Sequence, residues 1–151
     1  MKALVYTGTN KIDFREEKDP ILKSGECLIK VKASGICGSD MHAYHGKDER
    51  RIPPLILGHE ISGTCLEGLF KGKDVVVNPL ISCGICNYCK INEEHLCPKR
   101  TMIGMSTPIK REGGLAELVS VPSSNIFEVP KKLSIKEAAL AEPAAVALHA
   151  V

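Results

Sequence analysis

The sequence predicts a mainly β protein with short helices, built as an antiparallel barrel or sandwich. Three observations predict it. Short β-rich runs recur between Gly, Pro, Asp and Ser, the residues that punctuate strands and turns. No long helical pattern occurs before residue 134. A length of 151 residues with 44% hydrophobic side chains suits one domain with a real core.

Taken in order, Lys2–Thr7 is an apolar-rich run that stops at Gly8. Cys27–Ala33 follows the break at Ser24-Gly25, and Asp74–Asn78 holds three consecutive valines ahead of Pro79. Ala116–Val121 ends at Pro122, and Asn125–Val129 ends at Pro130. The first helical signal is Ser134-Ile135-Lys136-Glu137, a capping box in which Ser134 caps the helix and Glu137 reaches back. Pro143 suits the first position of a second helix, Ala144–Val151. No internal repeat or low-complexity linker interrupts the chain.

Charge and composition exclude several classes. Twenty basic residues against eighteen acidic give a net charge of +2, with no basic face for nucleic acid. The run Lys47-Asp48-Glu49-Arg50-Arg51 mixes signs and reads as a solvated loop. No segment approaches eighteen unbroken apolar residues, so no membrane span is expected. The opening MKALVYTG is too short and too polar for a signal peptide. Seven cysteines, odd in number and clustered at ligand spacing, argue for a reducing compartment and a cytoplasmic protein.

Cys83, Cys86, Cys89 and Cys97 form C-x2-C-x2-C-x7-C. Four thiolates so close in sequence can wrap one tetrahedral zinc, and a closed set leaves no open position for chemistry. Gly84, Asn87 and Tyr88 between them make a buried or disulfide-bonded set a poor alternative. His95 could replace a thiolate, but four cysteines already complete the set. The expectation is a structural zinc lobe over about residues 81–100. A second constellation is Cys37 with Gly58-His59-Glu60. Cys, His and a carboxylate suit a catalytic zinc that keeps its fourth position open; taken locally, such a set is more often plain packing than ligation. Cys27 and Cys65 read as small core residues.

Taken together, Gly35-Ile36-Cys37-Gly38-Ser39-Asp40-x-His42, Gly58-His59-Glu60-x-Ser62-Gly63, the four-cysteine lobe, Gly113-Gly114-x-Ala116-Glu117 and Glu142-Pro143-x-x-Val146-Ala147-Leu148-His149-Ala150 span essentially the whole chain. The combination resembles the zinc-dependent medium-chain alcohol and polyol dehydrogenases. The resemblance implies a GroES-like β-barrel carrying both zinc sites over residues 1–151, with helices 134–151 leading towards a cofactor domain. It implies Cys37 and His59 as catalytic-zinc ligands, Glu60 as an alternative ligand able to exchange with water, and Glu142 as the carboxylate that completes the site. That glutamate is the sorbitol- and butanediol-type variant, which favours a small-molecule polyol, diol or sugar alcohol. Ser39 would take the proton from the alcohol, His42 would relay it to solvent, and Asp40 would orient a ligand. Glu142 also reads as an acidic residue favoured by the helix that follows, and His42 as an exposed loop residue. His45 has no family role and reads as surface.

Two departures stand out. Gly63–Val77 is about six residues shorter than the family pattern, which leaves that barrel edge open to question. No G-x-G-x-x-G occurs, so no Rossmann fold is expected within these residues. NAD or NADP would reach the site only through a missing domain, such as a separately encoded Rossmann half, and the chain alone would be inactive. The other class is a stand-alone non-catalytic zinc-binding or partner-binding module; retention of Cys37, His59, Glu60 and Glu142 weighs against it. A homo-oligomer is left open.

Overall fold

The computed structural model describes residues 1–151. Three small sheets make up the β structure. The largest runs β10-β6-β5-β3-β9, formed by β3 (Glu26–Ser34), β5 (Ile61–Glu67), β6 (Asp74–Val77), β9 (Leu118–Pro122) and β10 (Ile126–Glu128). All its pairings are antiparallel. The second runs β2-β1-β4, from β1 (Lys2–Gly8), β2 (Lys11–Glu16) and β4 (Leu55–Ile56). The third is a short ribbon of β7 (Leu80–Ile81) and β8 (Thr101–Met102). The curled main sheet is a half-barrel closed by its neighbours, so the mainly β expectation holds.

The core lies inside this curl. Cys27, Ile29, Ile61, Cys65, Val75, Val77, Ile81, Ile103, Val119, Val121 and Ile126 form one buried cluster. Fully burying one such aliphatic side chain contributes roughly 1.5–3 kcal/mol. Cys27 and Cys65 belong to that core, as their size suggested. Both are free thiols.

The shortened stretch leaves the barrel edge whole. β5 and β6 pair at Ser62–Val76, Gly63–Val75 and Thr64–Asp74, and β6 continues the sheet to β10. The trimmed residues become a tight turn, closed by Cys65 N–H donating to the Lys73 carbonyl and Gly72 N–H to the Cys65 carbonyl. Gly63 explains why β5 escapes a propensity reading. A Cβ there would sit 2.3 Å from the Lys30 carbonyl oxygen, so only glycine lets β3 and β5 approach this closely. β2 escapes for the opposite reason. Every residue of it is exposed, including Phe14 and Ile12, so no burial period marks it.

Four short helices complete the fold: α1 (Gly38–Tyr44), α2 (Asn87–Lys90), α3 (Ile135–Ala138) and α4 (Ala141–His149). The capping box at Ser134 and Glu137 forms as expected. α3 then packs on β3, β5 and β6, and Ser62 Oγ donates to the Ile135 carbonyl at 2.5 Å. The second helix begins earlier than expected, at Ala141, which puts Pro143 third in the helix. Proline is tolerated there because amides of the first turn have no intrahelical partner to lose. The loop 47–51 is not simply solvated: Arg51 is 2% exposed.

Candidate metal centres

Two sets of donors come together. In the lobe, the sulfurs of Cys83, Cys86, Cys89 and Cys97 all lie within 4.8 Å of one another. Cys86 and Cys89 are 3.4 Å apart and Cys83 and Cys89 3.9 Å. A tetrahedron with zinc–sulfur bonds of ~2.3 Å has edges of about 3.8 Å, so the spacing fits a four-thiolate ion and not a disulfide. The β7–β8 ribbon closes the base of the lobe, and Asn125 Nδ2 ties it to the barrel through the Asn78 and Leu80 carbonyls. Backbone N–H groups of Ile85 and Cys86 pull the Cys83 thiol down to about 6. Cys86 behaves oppositely. Despite an N–H from Cys89, desolvation and the neighbouring sulfurs push it up to about 11. Four thiolates repel one another until a cation joins them. His95 instead pairs with Glu93 at 3.2 Å on the surface.

The second set is Cys37, His59 and Glu60, whose donor atoms also lie within 4.8 Å of one another. Cys37 ends the segment leaving β3, just before α1, while His59 and Glu60 immediately precede β5. The β3–β5 pairing up to Ser34–Ile61 therefore holds the two segments side by side. Gly35 permits the approach, because a Cβ there would fall 1.8 Å from Glu60 Oε2. His59 is 3% and Glu60 9% exposed.

Asp40 organises this set from α1. Its Oδ2 accepts from Cys37 N–H at 3.0 Å, and its Oδ1 accepts from Gly58 N–H at 3.3 Å. Oδ1 also lies 3.6 Å from His59 Nδ1, a buried nitrogen with no hydrogen-bond partner at normal length. A carboxylate facing Nδ1 leaves Nε2 as the donor towards a metal, the arrangement that metal-binding histidines commonly use. Burial disfavours the imidazolium, but Asp40 and then Cys37 outweigh it and raise the His59 pKa above its ordinary value. Burial likewise pushes Asp40 up, and His59 with the two backbone amides overcomes it and holds the carboxyl below its usual range. Thiolate, imidazole and carboxylate donors brought this close together fit a divalent ion such as zinc.

Arg51, expected in a solvated loop, is instead buried beside this set. Its Nη1 donates to the Ser39 carbonyl at 3.3 Å and to Asp48 Oδ2 at 2.5 Å. Its Nη2 donates to Ser39 Oγ at 3.1 Å and lies 4.0 Å from Asp40 Oδ1. Its Nε donates to the Gly104 carbonyl at 3.1 Å. No hydrophobic period marks loop 47–51, so nothing local separates buried Arg51 from exposed Arg50. Ser39 and His42 share a polar hollow on the surface of α1. Glu142 stands apart from the tight set: it is half-buried in the first turn of α4. Burial raises its pKa, with the charges of His59 (lowering), Glu60 and Asp40 (both raising) also felt.

Comparison with known proteins identifies the family. Residues 23–131 match the family described as the alcohol dehydrogenase GroES-like domain. An uncharacterized zinc-type alcohol dehydrogenase-like protein of Haemophilus influenzae is 35% identical over 158 residues, covering 100% of this chain and 45% of that protein. Sorbitol dehydrogenase of Bacillus subtilis is 35% identical over 159 residues, covering 99% of this chain and 44% of the relative. The crystal structure of galactitol-1-phosphate dehydrogenase from Escherichia coli superposes with a TM-score of 0.90 at 32% identity, covering 99% of this chain and 44% of that one. The chain thus spans less than half the length of the relatives it matches.

Proposed function

The chain belongs to the alcohol dehydrogenase GroES-like domain family, and from that premise we propose that it is the zinc-binding catalytic portion of an NAD(P)-dependent polyol dehydrogenase. The observation that carries the reading is the convergence of Cys37, His59 and Glu60 with Asp40 behind them. Names such as zinc-type alcohol dehydrogenase-like protein and sorbitol dehydrogenase among the relatives support the metal and the substrate class.

In this reading Cys37 and His59 hold the catalytic zinc, Glu60 is the exchangeable donor and Glu142 closes on the site from α4. Cys83, Cys86, Cys89 and Cys97 hold a structural zinc. The catalytic zinc, when bound, supplies Lewis acidity that makes an alcohol proton easier to remove. The chain's own residues do the rest. Asp40 fixes the His59 ring. Arg51 donates to Ser39 Oγ, so the serine hydroxyl proton is directed elsewhere. Ser39 accepts the substrate's hydroxyl proton while passing its own outward, and His42 carries it to solvent. The hydride acceptor, NAD or NADP, is held by a dinucleotide-binding domain outside residues 1–151.

The test is reduction of NAD and NADP across a panel of sugar alcohols and diols. Residues 1–151 alone should give no turnover. The same chain joined to or mixed with its dinucleotide-binding domain should oxidise polyols, and Cys37→Ala or His59→Ala should abolish the activity. Ser39→Ala should slow turnover by roughly 10²–10⁴-fold, the span of lost proton transfer, with metal content unchanged. Turnover by the isolated chain, or a joined enzyme indifferent to Cys37→Ala, overturns the reading. A joined chain that binds both zincs yet oxidises nothing would instead favour a non-catalytic zinc module.

A further inference from the structure

A second surface feature sits beside the proposed catalytic set and plays no part in holding metal. Gly38, Ser39, His42, Lys47, Asp48 and Arg50 line a hollow of about 300 Å³ that contains no hydrophobic residue. Arg50 holds Asp48 through Nε at 3.1 Å and Nη2 at 3.3 Å. Buried Arg51 also donates to Oδ2 of the same carboxylate at 2.5 Å. One anion therefore serves two guanidinium groups, and its side chain is only 10% exposed. Lys47 has no acidic partner, and Arg50 Nη1 donates to nothing in the protein. Glu49, the remaining acid of the loop, does not line the hollow.

A solvated charge run would leave such cations waving in water, as lysines commonly do. Here the loop is anchored from beneath. Asp48 fixes the Arg50 fork, and Arg51 fixes Asp48 to Ser39 and Gly104. Surplus positive charge with preset, unused donors is the arrangement that recognises an oxyanion, because charge-assisted bonds from an arginine fork and a lysine are strong and directional. The position decides what carries that oxyanion. The hollow includes Ser39, the proposed proton acceptor, and starts at Gly38, next to Cys37. An occupant therefore lies against the serine proposed to accept the alcohol proton.

We infer that Lys47 and Arg50, with His42 at the rim, form a subsite for the oxyanion end of an acyclic polyol, a phosphate or carboxylate group at the terminus remote from the oxidised carbon. The inference rests on the polyol dehydrogenase reading and narrows its substrate class to anionic sugar alcohols. It requires no chemistry at the subsite, only binding. Uncharged polyols enter without that anchor and bind more weakly. A phosphate of the dinucleotide is the other source of the same chemistry, and the ligands below separate the two.

The experiment is an NMR titration of the zinc-loaded chain with inorganic phosphate, sorbitol, sorbitol 6-phosphate and NAD, for the native protein and for Lys47→Gln/Arg50→Gln. Phosphate should shift the amides of residues 38–50 selectively, and its affinity should fall at least ten-fold in the double variant. Sorbitol 6-phosphate should bind at least ten-fold more tightly than either phosphate or sorbitol, with that advantage lost in the variant. Phosphate shifts scattered over unrelated lysines would overturn the subsite. So would equal affinities for sorbitol and its phosphate, or NAD displacing phosphate while the polyol phosphate shows no advantage. A parallel cobalt titration keeps the two claims apart. A Cys37-dependent cobalt absorption present in both proteins leaves the metal reading intact whatever phosphate does, and its absence from both sinks the metal reading separately.

Discussion

Leaving one charge of a buried network without its partner costs roughly 3–5 kcal/mol, because the remaining group stays desolvated and unpaired. Arg51 is such a group: its removal leaves Asp48 with only the exposed Arg50 as a cationic partner and withdraws four donated bonds, three to Ser39 and Gly104 and one to Asp48. Arg51→Ala should therefore lower the unfolding free energy by about 3–5 kcal/mol, read as an earlier urea midpoint at unchanged slope. Arg50→Ala, one position away and exposed, should cost under about 1 kcal/mol. Equal losses would contradict the buried role. Asp40→Asn removes the charge facing His59 Nδ1 and should weaken metal binding at Cys37 and His59 by about 10–100-fold while the four-cysteine site is unaffected. At this scale the sequence exposes candidate donor residues better than the groups that support them. Cys37, His59, Glu60 and Asp40 stand in motifs, whereas Arg51 sits in a mixed charge run where its burial has no local signal.

Elements differ in how they hold together. Strands β3, β5, β6 and β9 bury aliphatic side chains in one core that includes no residue of either metal-donor set. The lobe over residues 81–100 has little core of its own; Ile85, Tyr88, Ile91 and Leu96 are all exposed. Chelation should make the lobe cleavable by protease while the barrel stays protected, because metal binding and local ordering are coupled there. Equal protection with and without metal would count against this. The Glu26–Arg111 pair, 2.5 Å apart, joins the start of β3 to the segment before β9. Burial raises the Glu26 pKa, but Arg111 and the Lys23 amide lower it more, so its folded value lies below the unfolded one. Its contribution is then present above the unfolded value, near 4.3, and is lost as pH falls through the folded value. Glu26→Gln should flatten the acid limb of the stability curve, and a limb of unchanged steepness would contradict the assignment. The legible elements were those with a clean apolar run or a cap, such as β1, β6 and α3. β2, β5 and α1 were not legible: exposure hides the first, Gly63 and Ser62 interrupt the second, and the third is a short polar turn.

For the whole molecule, the proposal turns on two sets of metal donors separated along the sequence and assigned different roles. One is closed on four sulfurs, and the other gathers three unlike donors at the mouth between the ends of β3 and β5. The chain's match to less than half the length of its relatives makes metal content a more direct test than turnover. Spacing within Cys83–Cys97 made the closed centre readable in the sequence, because its ligands lie close together along the chain. The open centre needed the fold, since residues 37 and 59–60 meet only through the β3–β5 pairing. The most direct measurement is the zinc or cobalt content of the purified chain beside its Cys37→Ala and Cys83→Ser variants. The account predicts two ions per chain in the native protein and one in each variant. It also predicts that the ion remaining in Cys37→Ala resists mild chelation. Two tightly held ions in Cys37→Ala would contradict it.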